Sequence, residues 1–215
     1  LWDAISKEEI WSWNPFDYYT LNDYDKYGNG WYKALIESSY DWLHTNSIYF
    51  DENENAIYVS HRTISRITKI AYPSGEIIWM MGPPANFMYS GDNHICTELL
   101  FSYQHNIQIL ENGHLLFFDN GNLSDVFYNS DEKISRIFEI ALNDDFSCEI
   151  IWEYTLPPNL FGNAYGSVYL LDNGNYLINT NADGGIIIEV TPEKEIIYKV
   201  SLNGVQNYRA FKINM

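Results

Sequence analysis

The feature that most constrains the fold is a short strand motif that recurs along the 215 residues. Variants of Glu-Ile-Ile-Trp occupy residues 9–13, 76–80, 149–153 and 195–199. Ahead of each of the last three copies, the order is an apolar strand, a tight polar turn, a second strand and a third strand. The turns fall at 52–55, 111–113 and 172–174, and the last two contain Asn-Gly, which is a strong hairpin signal. The chain is therefore predicted to contain three four-stranded antiparallel units.

This pattern places each strand within a few residues. The predicted strands are 46–51, 56–62, 64–72 and 76–82 in the first unit, 104–110, 114–120, 134–142 and 149–156 in the second, and 167–171, 176–181, 185–191 and 195–202 in the third. Regular four-stranded units rich in aromatic residues are typical of an all-β fold of the β-propeller type. A β-sandwich is the alternative, but it explains the repeated closing strand less well.

The ends of the chain are interpreted as parts of further blades. Residues 46–82, 104–156 and 167–202 form three complete blades, residues 1–16 end an upstream blade, and 208–213 form a closing strand without a hairpin partner. A propeller needs about four to eight blades to close. Because the chain also begins with Leu1, we expect residues 1–215 to be one partial propeller domain from the C-terminal part of a longer protein. Closure by oligomerisation is the alternative, and the oligomeric state, a homodimer included, stays open.

Composition excludes several classes of partner. A net charge of −17 with only 12 Lys and Arg argues against nucleic acid and anionic lipid surfaces, since binding there depends on positive side chains. No run approaches the roughly 20 apolar residues of a membrane helix, so membrane insertion is not expected. Cys96 and Cys148 have no metal-ligand spacing, and whether they are bonded stays open. Neither a metal nor a cofactor is expected.

Polar residues that could carry chemistry gather at one mouth of the predicted propeller. His44 and His105 stand at the starts of first strands, and Arg62 and Asn120 at the ends of second strands. When the units are aligned through their hairpin turns, His105 of the second unit is equivalent to Asn46 of the first. His44 precedes this position by two residues. The long loops at the same mouth are 17–41, 83–103, 121–133 and 157–166. Two histidines, an arginine and an asparagine suit a tetrahedral oxyanion, because Arg offers a fixed fork of donors.

Other candidate residues receive structural interpretations. His61 is predicted to point away from Arg62 by strand alternation, His94 to lie in a polar loop and His114 in a hairpin turn. Arg136 is predicted to form a structural ion pair. The recurring tryptophans are predicted to pack between blades; they are Trp11, Trp79 and Trp152.

A series of segments in one order along the chain also resembles a known family. Two of them are Asp-Trp-x-His-x-Asn-Ser at 41–47 and Phe-x-x-Gln-His at 101–105. The others are 9–17, 59–62, 79–84, 118–122, 135–136, 152–154, 166–167 and 173–178. Together they resemble the bacterial-type aryl-sulfate sulfotransferases, which are six-bladed propellers that use no nucleotide donor.

The resemblance implies a ping-pong transfer of a sulfuryl group from an aryl sulfate donor to a phenolic acceptor. His105 would be the nucleophile that forms a sulfohistidine, and His44, Asn46 and Arg62 would bind the sulfuryl oxygens. A further histidine that the family takes from an earlier blade has no counterpart here, so the active site of this chain alone would be incomplete. Family members resemble exported proteins, which implies a periplasmic or extracellular location.

The mouth also carries residues for substrate binding. Trp42 and Tyr103 are predicted to stack on the aryl group, with Phe161 and Tyr165 nearby, and Asn120 is predicted to contact substrate. Two alternatives stay open. One is a non-catalytic propeller that binds a peptide or glycan, and the other is a propeller dehydrogenase with a coloured cofactor.

Overall fold

The computed structural model describes residues 1–23, 30–83, 94–205 and 207–213, and these form an all-β structure with few helices. The strands of the first sheet are β1 (Thr45–Asp51), β2 (Ala56–His61), β3 (Arg66–Ala71), β4 (Ile77–Met81) and the short β5 (His94–Ile95). Those of the second are β6 (His105–Ile109), β7 (Leu115–Asp119), β8 (Arg136–Leu142) and β9 (Cys148–Thr155). Those of the third are β10 (Ser167–Leu170), β11 (Tyr176–Thr180), β12 (Ile186–Val190) and β13 (Ile196–Ser201).

Each sheet follows the order of the chain, with antiparallel neighbours, and β5 adds to β4 as a parallel strand. The three predicted four-stranded antiparallel units are confirmed, and each strand end lies within two residues of its predicted position. The connections contain two helices that were not predicted, α1 (Gly30–Glu37) and α2 (Ser124–Tyr128). Single 3-10 turns lie at Pro15–Asp17, Pro158–Leu160 and Ala182–Gly184.

Successive sheets pack face to face through apolar cores. Tyr58 and Trp79 of the first sheet are buried against Phe117 and Ile140 of the second. A second core joins the other face of the second sheet to the third, with Ile178 at its centre. Burial of each such side chain stabilises the fold by about 1.5–3 kcal/mol. The alternation of side chains along each strand therefore assigns one face to each neighbouring sheet.

The first strands of the sheets are joined by a repeated polar link. The backbone N–H of Ile107 in β6 donates to Ser47 Oγ in β1, with an N–O distance of 3.0 Å. The backbone N–H of Val168 in β10 donates to Asn106 Oδ1 in β6 at 2.8 Å. This link sets the first strands side by side, so that their starting residues meet at one end of the assembly.

The C-terminal segment repeats this link but forms no strand. The backbone N–H of Ala210 donates to Ser167 Oγ at 3.3 Å, as Val168 does to the preceding sheet. Lys212 Nζ lies 2.9 Å from Glu189 Oε2. No strand pairs with residues 208–213 among the described residues, as expected for a closing strand without a hairpin partner in this chain. The backbone of Ala210 and the side chain of Lys212 hold this segment in the place of a first strand.

The N-terminal copy of the repeated motif also lacks a paired strand. Residues 9–13 carry one isolated bridge and no ladder. The indole N–H of Trp11 donates to Pro73 O at 2.8 Å, in the turn between β3 and β4. Trp152 of β9 makes the same contact with Pro192 O, also at 2.8 Å, in the turn between β12 and β13. The predicted packing of these two tryptophans between units is confirmed, although residues 9–13 are not a strand.

Each third strand binds the first hairpin turn of its own sheet through a charged side chain. The contacts are Lys69 with Glu54, Glu139 with His114, and Glu189 with Asn173 and Asn175. This explains why the hairpin turns are polar, and it assigns His114 a structural partner.

A disulfide bond joins Cys96, next to β5, to Cys148 at the start of β9. The two Cα atoms lie 5.4 Å apart, and the bond closes a sequence separation of 52. The sequence left open whether the two cysteines are bonded. They are, and the bond connects the region of the first sheet covalently to the second sheet.

Candidate functional site

His105, the first residue of β6, has a ring whose protonation pattern is set by its neighbours. The side chain is 1% exposed. Its Nδ1 lies 3.0 Å from Tyr103 O and 2.7 Å from Asn120 Oδ1. Both partners are oxygen acceptors, so Nδ1 carries the hydrogen in the neutral ring and Nε2 carries the lone pair. The ring is therefore held with Nε2 as its basic and nucleophilic atom.

The surroundings also keep the His105 ring neutral. The pKa of His105 is lowered to about 4, chiefly by burial and to a smaller extent by the nearby positive charges of Arg62 and His44. The hydrogen bond from Nδ1 to Asn120 acts in the opposite direction. At pH 7 the imidazole is uncharged, which a nucleophile requires.

The chain brings His44 and Arg62 together through backbone pairing beyond the ends of β1 and β2. The backbone N–H of Arg62 donates to His44 O at 3.2 Å, and that of Thr63 donates to Leu43 O at 3.1 Å. His44 Nδ1 contacts Asp41 Oδ2, and the His44 side chain is partly exposed. The carboxylate orients the ring and offsets positive charge on it when the ring is protonated.

Arg62 lies across the ring of Tyr103. The guanidinium carbon is 4.4 Å from the ring centroid, which is a cation–π geometry. Burial lowers the pKa of Arg62, and electrostatic interactions with Tyr103, Asp41 and Tyr208 oppose that shift. A cavity of 70 Å³ opens beside Arg62, Asp41 and Tyr103. A half-buried guanidinium next to an open space is suited to bind an anion there.

Two tyrosines from distant parts of the chain complete one wall. The Tyr208 ring meets the His105 ring edge-on at 5.8 Å between centroids, and Tyr165 lies 5.3 Å from Tyr208. Tyr208 Oη donates to Asn46 O at 3.3 Å. Sequence reasoning did not assign Tyr208 to the site. The signal was available, because Tyr208 precedes Ala210 by two residues, as His105 precedes Ile107.

We call His44, Arg62, Tyr103, His105 and Tyr208 the histidine site. Its backbone is unusual at two equivalent positions, each two residues before the aligned start of a first strand. His44 has φ of 49° and Tyr103 has φ of 60°. Residues outside the site also adopt this left-handed region, so the shared conformation marks these two residues as equivalent positions of the repeat.

The structure brings together the three residues predicted to be catalytic, His44, Arg62 and His105. Asn46 lies beside them: its Nδ2 donates to Gln104 O at 2.8 Å, leaving a second N–H for another acceptor. Tyr103 is buried under Arg62, so its ring face is occupied by the guanidinium.

Two predicted substrate-binding residues lie elsewhere. Trp42 is in the core, and its indole N–H donates to Asp23 O at 2.7 Å, so the prediction that Trp42 stacks on a substrate is wrong. Asn120 is fully buried behind His105 and uses its amide within the protein. It contacts His105 instead of the open space.

His61 and Arg136 take structural places. His61 is buried against Tyr19, on the opposite face of the first sheet from the core shared with the second. Arg136 Nε and Nη2 donate to Asp119 Oδ2 at 3.0 and 2.8 Å, which confirms the predicted ion pair.

The predicted mouth loops 17–41 and 83–103 lie partly outside the described residues, as does Pro84 of the segment 79–84. Within the described part of the chain, no group of three or more His, Cys, Asp or Glu residues could hold a metal ion. None of its helices has the length and apolar character needed to cross a membrane.

A larger apolar groove of 570 Å³ lies away from the histidine site, between residues 1–15 and the outward face of the first sheet.

Comparisons with known proteins add a family assignment. The family model described as arylsulfotransferase (ASST) matches residues 6–209. None of the curated proteins compared matches the chain.

Two solved structures resemble the chain weakly. A protein of unknown function from Bacteroides caccae is 16% identical over 76% of this chain and 47% of its own, with a TM-score of 0.45. A streptogramin B lyase is 14% identical over 74% of this chain and 41% of its own, with a TM-score of 0.44. The chain thus spans less than half the length of either protein. At these values neither structure informs the chemistry of the site.

Proposed function

Because this chain belongs to the arylsulfotransferase family, we propose that its histidine site transfers a sulfuryl group from an aryl sulfate to a phenolic acceptor. The observation that carries the proposal is the ring of His105, which is neutral and presents Nε2 as its nucleophilic atom. The family match supports the reaction class, and the geometry supports the role of this residue.

The first half-reaction forms a covalent intermediate. The lone pair of His105 Nε2 forms a bond to sulfur while the bond from sulfur to the aryl oxygen breaks. The electron pair of that bond leaves with the phenolate, and the sulfuryl group stays on the ring as a sulfohistidine. In the second half-reaction the oxygen of an acceptor phenol bonds to sulfur while the bond from sulfur to His105 Nε2 breaks, and the electron pair of that bond returns to Nε2. The proton of the phenol passes to His44, which gave one up in the first half-reaction, so both histidines return to their starting states. No nucleotide donor takes part in this scheme.

Positive side chains stabilise the charge on the sulfuryl oxygens. Sulfuryl transfer should resemble phosphoryl transfer, in which positioning and electrostatic stabilisation outweigh covalent work by the protein. Arg62 is held over Tyr103, and His44 is held by Asp41, so both donors are oriented before substrate arrives. A well-placed donor of this kind is worth about 2.7–4 kcal/mol in the transition state.

Proton transfer to the leaving phenolate is assigned to His44. A phenol has a pKa near 10, so its departure at neutral pH is helped by an acid. The contact with Asp41 supports this role, because it favours a ring that holds a proton on Nδ1 and exchanges one at Nε2. Asn46 contributes its second amide N–H to a sulfuryl oxygen.

The aryl group is assigned to the wall formed by Tyr165 and Tyr208. Both rings are partly exposed, and Tyr208 already contacts His105 edge-on. Aromatic pairs with centroids 4.5–7 Å apart contribute about 0.5–1.5 kcal/mol beyond their buried area. These two tyrosines replace Trp42 in the account of how the substrate ring is held.

The wider setting is proposed on the same basis. The repeated links between first strands support a propeller, six-bladed as in the family, of which this chain provides three blades. The disulfide of Cys96 and Cys148 supports an oxidising location, the periplasm or the cell exterior, because disulfides persist there.

The test is steady-state kinetics of the full-length protein with a phenyl sulfate donor and a phenol acceptor, both varied. Parallel double-reciprocal lines are expected for the ping-pong scheme, and His105→Asn should abolish phenol release. His114→Asn is the matched control, because His114 lies at the opposite end of the same strand pair. The substitution keeps a polar side chain beside Glu139. A folded wild type that binds a ligand but releases no phenol would favour the binding-module alternative.

A further inference from the structure

The tautomer of His105 depends on the side chain of Asn120. Two acceptors face Nδ1, and the shorter contact, 2.7 Å, is with Asn120 Oδ1. The longer one, 3.0 Å, is with the backbone oxygen of Tyr103, two residues away in the chain. No hydrogen bond to Nε2 is present among the described residues. Whatever fixes the amide of Asn120 therefore also fixes which nitrogen of His105 is free.

The amide of Asn120 has one orientation that satisfies its neighbours. Its Nδ2 donates to Gly162 O at 2.7 Å and to Tyr165 O at 2.8 Å. Both hydrogens of the amide are thereby used on carbonyl oxygens, which cannot donate. A flipped amide would bring its oxygen against these two carbonyls, so Oδ1 has to face His105.

The backbone that carries Asn120 is held from several sides. The preceding residue, Asp119, is fully buried, and its Oδ1 accepts the backbone N–H of Ser102 and Gly121, both at 2.9 Å. Its other oxygen accepts from Arg136. The hydroxyl of Ser135 donates to Asn120 O at 2.8 Å. Asn120 therefore has little freedom to turn away from the ring.

We propose that Asn120 is a positioning residue for the sulfuryl transfer, through its hydrogen bond to His105 Nδ1; this rests on the proposed function. Before the reaction, Oδ1 holds the Nδ1–H tautomer and so keeps the lone pair on Nε2. When Nε2 bonds to sulfur, the ring becomes an imidazolium with its proton still on Nδ1. Oδ1 and the backbone oxygen of Tyr103 then accept a charge-assisted hydrogen bond, which is stronger than a neutral one.

Three variants of the full-length protein test this role. Asn120→Ala removes the acceptor, and Asn120→Asp keeps an acceptor for Nδ1 while it gives up both donors. Asn122→Ala is the matched control, since Asn122 also donates to the 157–166 loop, at 3.0 Å to Asn163 O, but does not contact His105.

The first measurement is the tautomer of His105 by nitrogen-15 NMR, which needs no substrate. We expect protonated Nδ1 in the wild type, in Asn122→Ala and in Asn120→Asp, and a mixture of tautomers in Asn120→Ala. The second measurement is the rate at which phenyl sulfate modifies His105. Asn120→Ala should lower this rate about 10- to 100-fold with little change in KM, because the lost hydrogen bond is strongest in the charged state.

The pH profile gives a third readout that a merely structural role would not move. A carboxylate at position 120 favours the protonated ring, so the acidic limb of kcat/KM should shift to higher pH in Asn120→Asp.

The inference is overturned if Asn120→Ala keeps the wild-type tautomer and rate, or if the wild type itself carries its proton on Nε2. If Asn120→Ala does not fold, the tautomer of His105 in the wild type decides whether the inference holds. If Nδ1 of His105 is protonated in the wild type but phenyl sulfate does not modify His105, the proposed function is rejected. The positioning role of Asn120 in that reaction is then rejected with it.

Discussion

His61 should make the fold sensitive to acid in a way that a single substitution removes. Its side chain is completely buried, with Nδ1 3.0 Å from Thr45 Oγ1 and the ring packed between Trp13 and Tyr19. Its Nε2 has no hydrogen-bond partner among the described residues. Burial lowers the pKa of His61 to about 3, because the charged ring would lose its contact with water.

The size of the effect follows from the two protonation states. In the unfolded chain a histidine has a pKa of about 6.5, so below that pH the unfolded state binds a proton that the folded state refuses. Stability is therefore lost as the pH falls from about 6.5 toward 3. One pKa unit corresponds to about 1.4 kcal/mol, so about 3 kcal/mol is lost by pH 4.

The assay is urea unfolding of wild type and His61→Phe at pH 7 and pH 4. Phe keeps the ring contacts but takes no proton, so the variant should lose about 3 kcal/mol less than the wild type over this range. Thr45→Val is the control, since it removes the hydrogen-bond partner and leaves the histidine. Equal losses in wild type and His61→Phe would refute the reasoning, because the burial of the neutral His61 ring would then carry no proton linkage.

Three further outcomes are expected. Replacing both Cys96 and Cys148 by Ser should lower the free energy of unfolding by about 4 kcal/mol, since the bond closes a 52-residue separation; a loss below about 1 kcal/mol in urea melts would contradict this. Arg136→Met should cost about 3–5 kcal/mol in the same assay, because Asp119 is left buried without its partner. Arg62→Lys should lower kcat for phenyl sulfate about 100-fold with an unchanged urea midpoint, because an ammonium cannot reproduce the guanidinium fork. A kcat within twofold of wild type would remove Arg62 from the proposed site.

The sheets could be predicted from sequence because local signals repeat. Each hairpin has its own polar turn, and each unit ends in a copy of one motif, so even the ends of the strands lie close to their predicted positions. The segments 9–13 and 208–213 carry strand-like sequences as well. They form no ladder, because a strand also needs a partner, and pairing is not written in the segment itself.

The candidate site could be predicted only in part. His44, Arg62 and His105 were found because strand ends define one mouth of the assembly. Asn120 was assigned to substrate because its contacts with Gly162 and Tyr165 are more than 40 residues away in the chain. A polar residue that faces another side chain and one that faces solvent look alike in sequence.

Trp42 and the cysteines show the same limit. Trp42 lies within the motif at 41–47 that contains His44, yet its indole turns toward Asp23 in the core. The bond between Cys96 and Cys148 depends on a distance between two sheets, which spacing along the chain does not define.

The most direct test is to mix the full-length protein briefly with phenyl sulfate in the absence of acceptor, and to map its peptides by mass spectrometry at alkaline pH. The account predicts an acid-labile sulfuryl group on His105 that disappears when a phenol is added. A folded protein that shows no such group, or carries it on another residue, would contradict the assignment of His105 as the nucleophile.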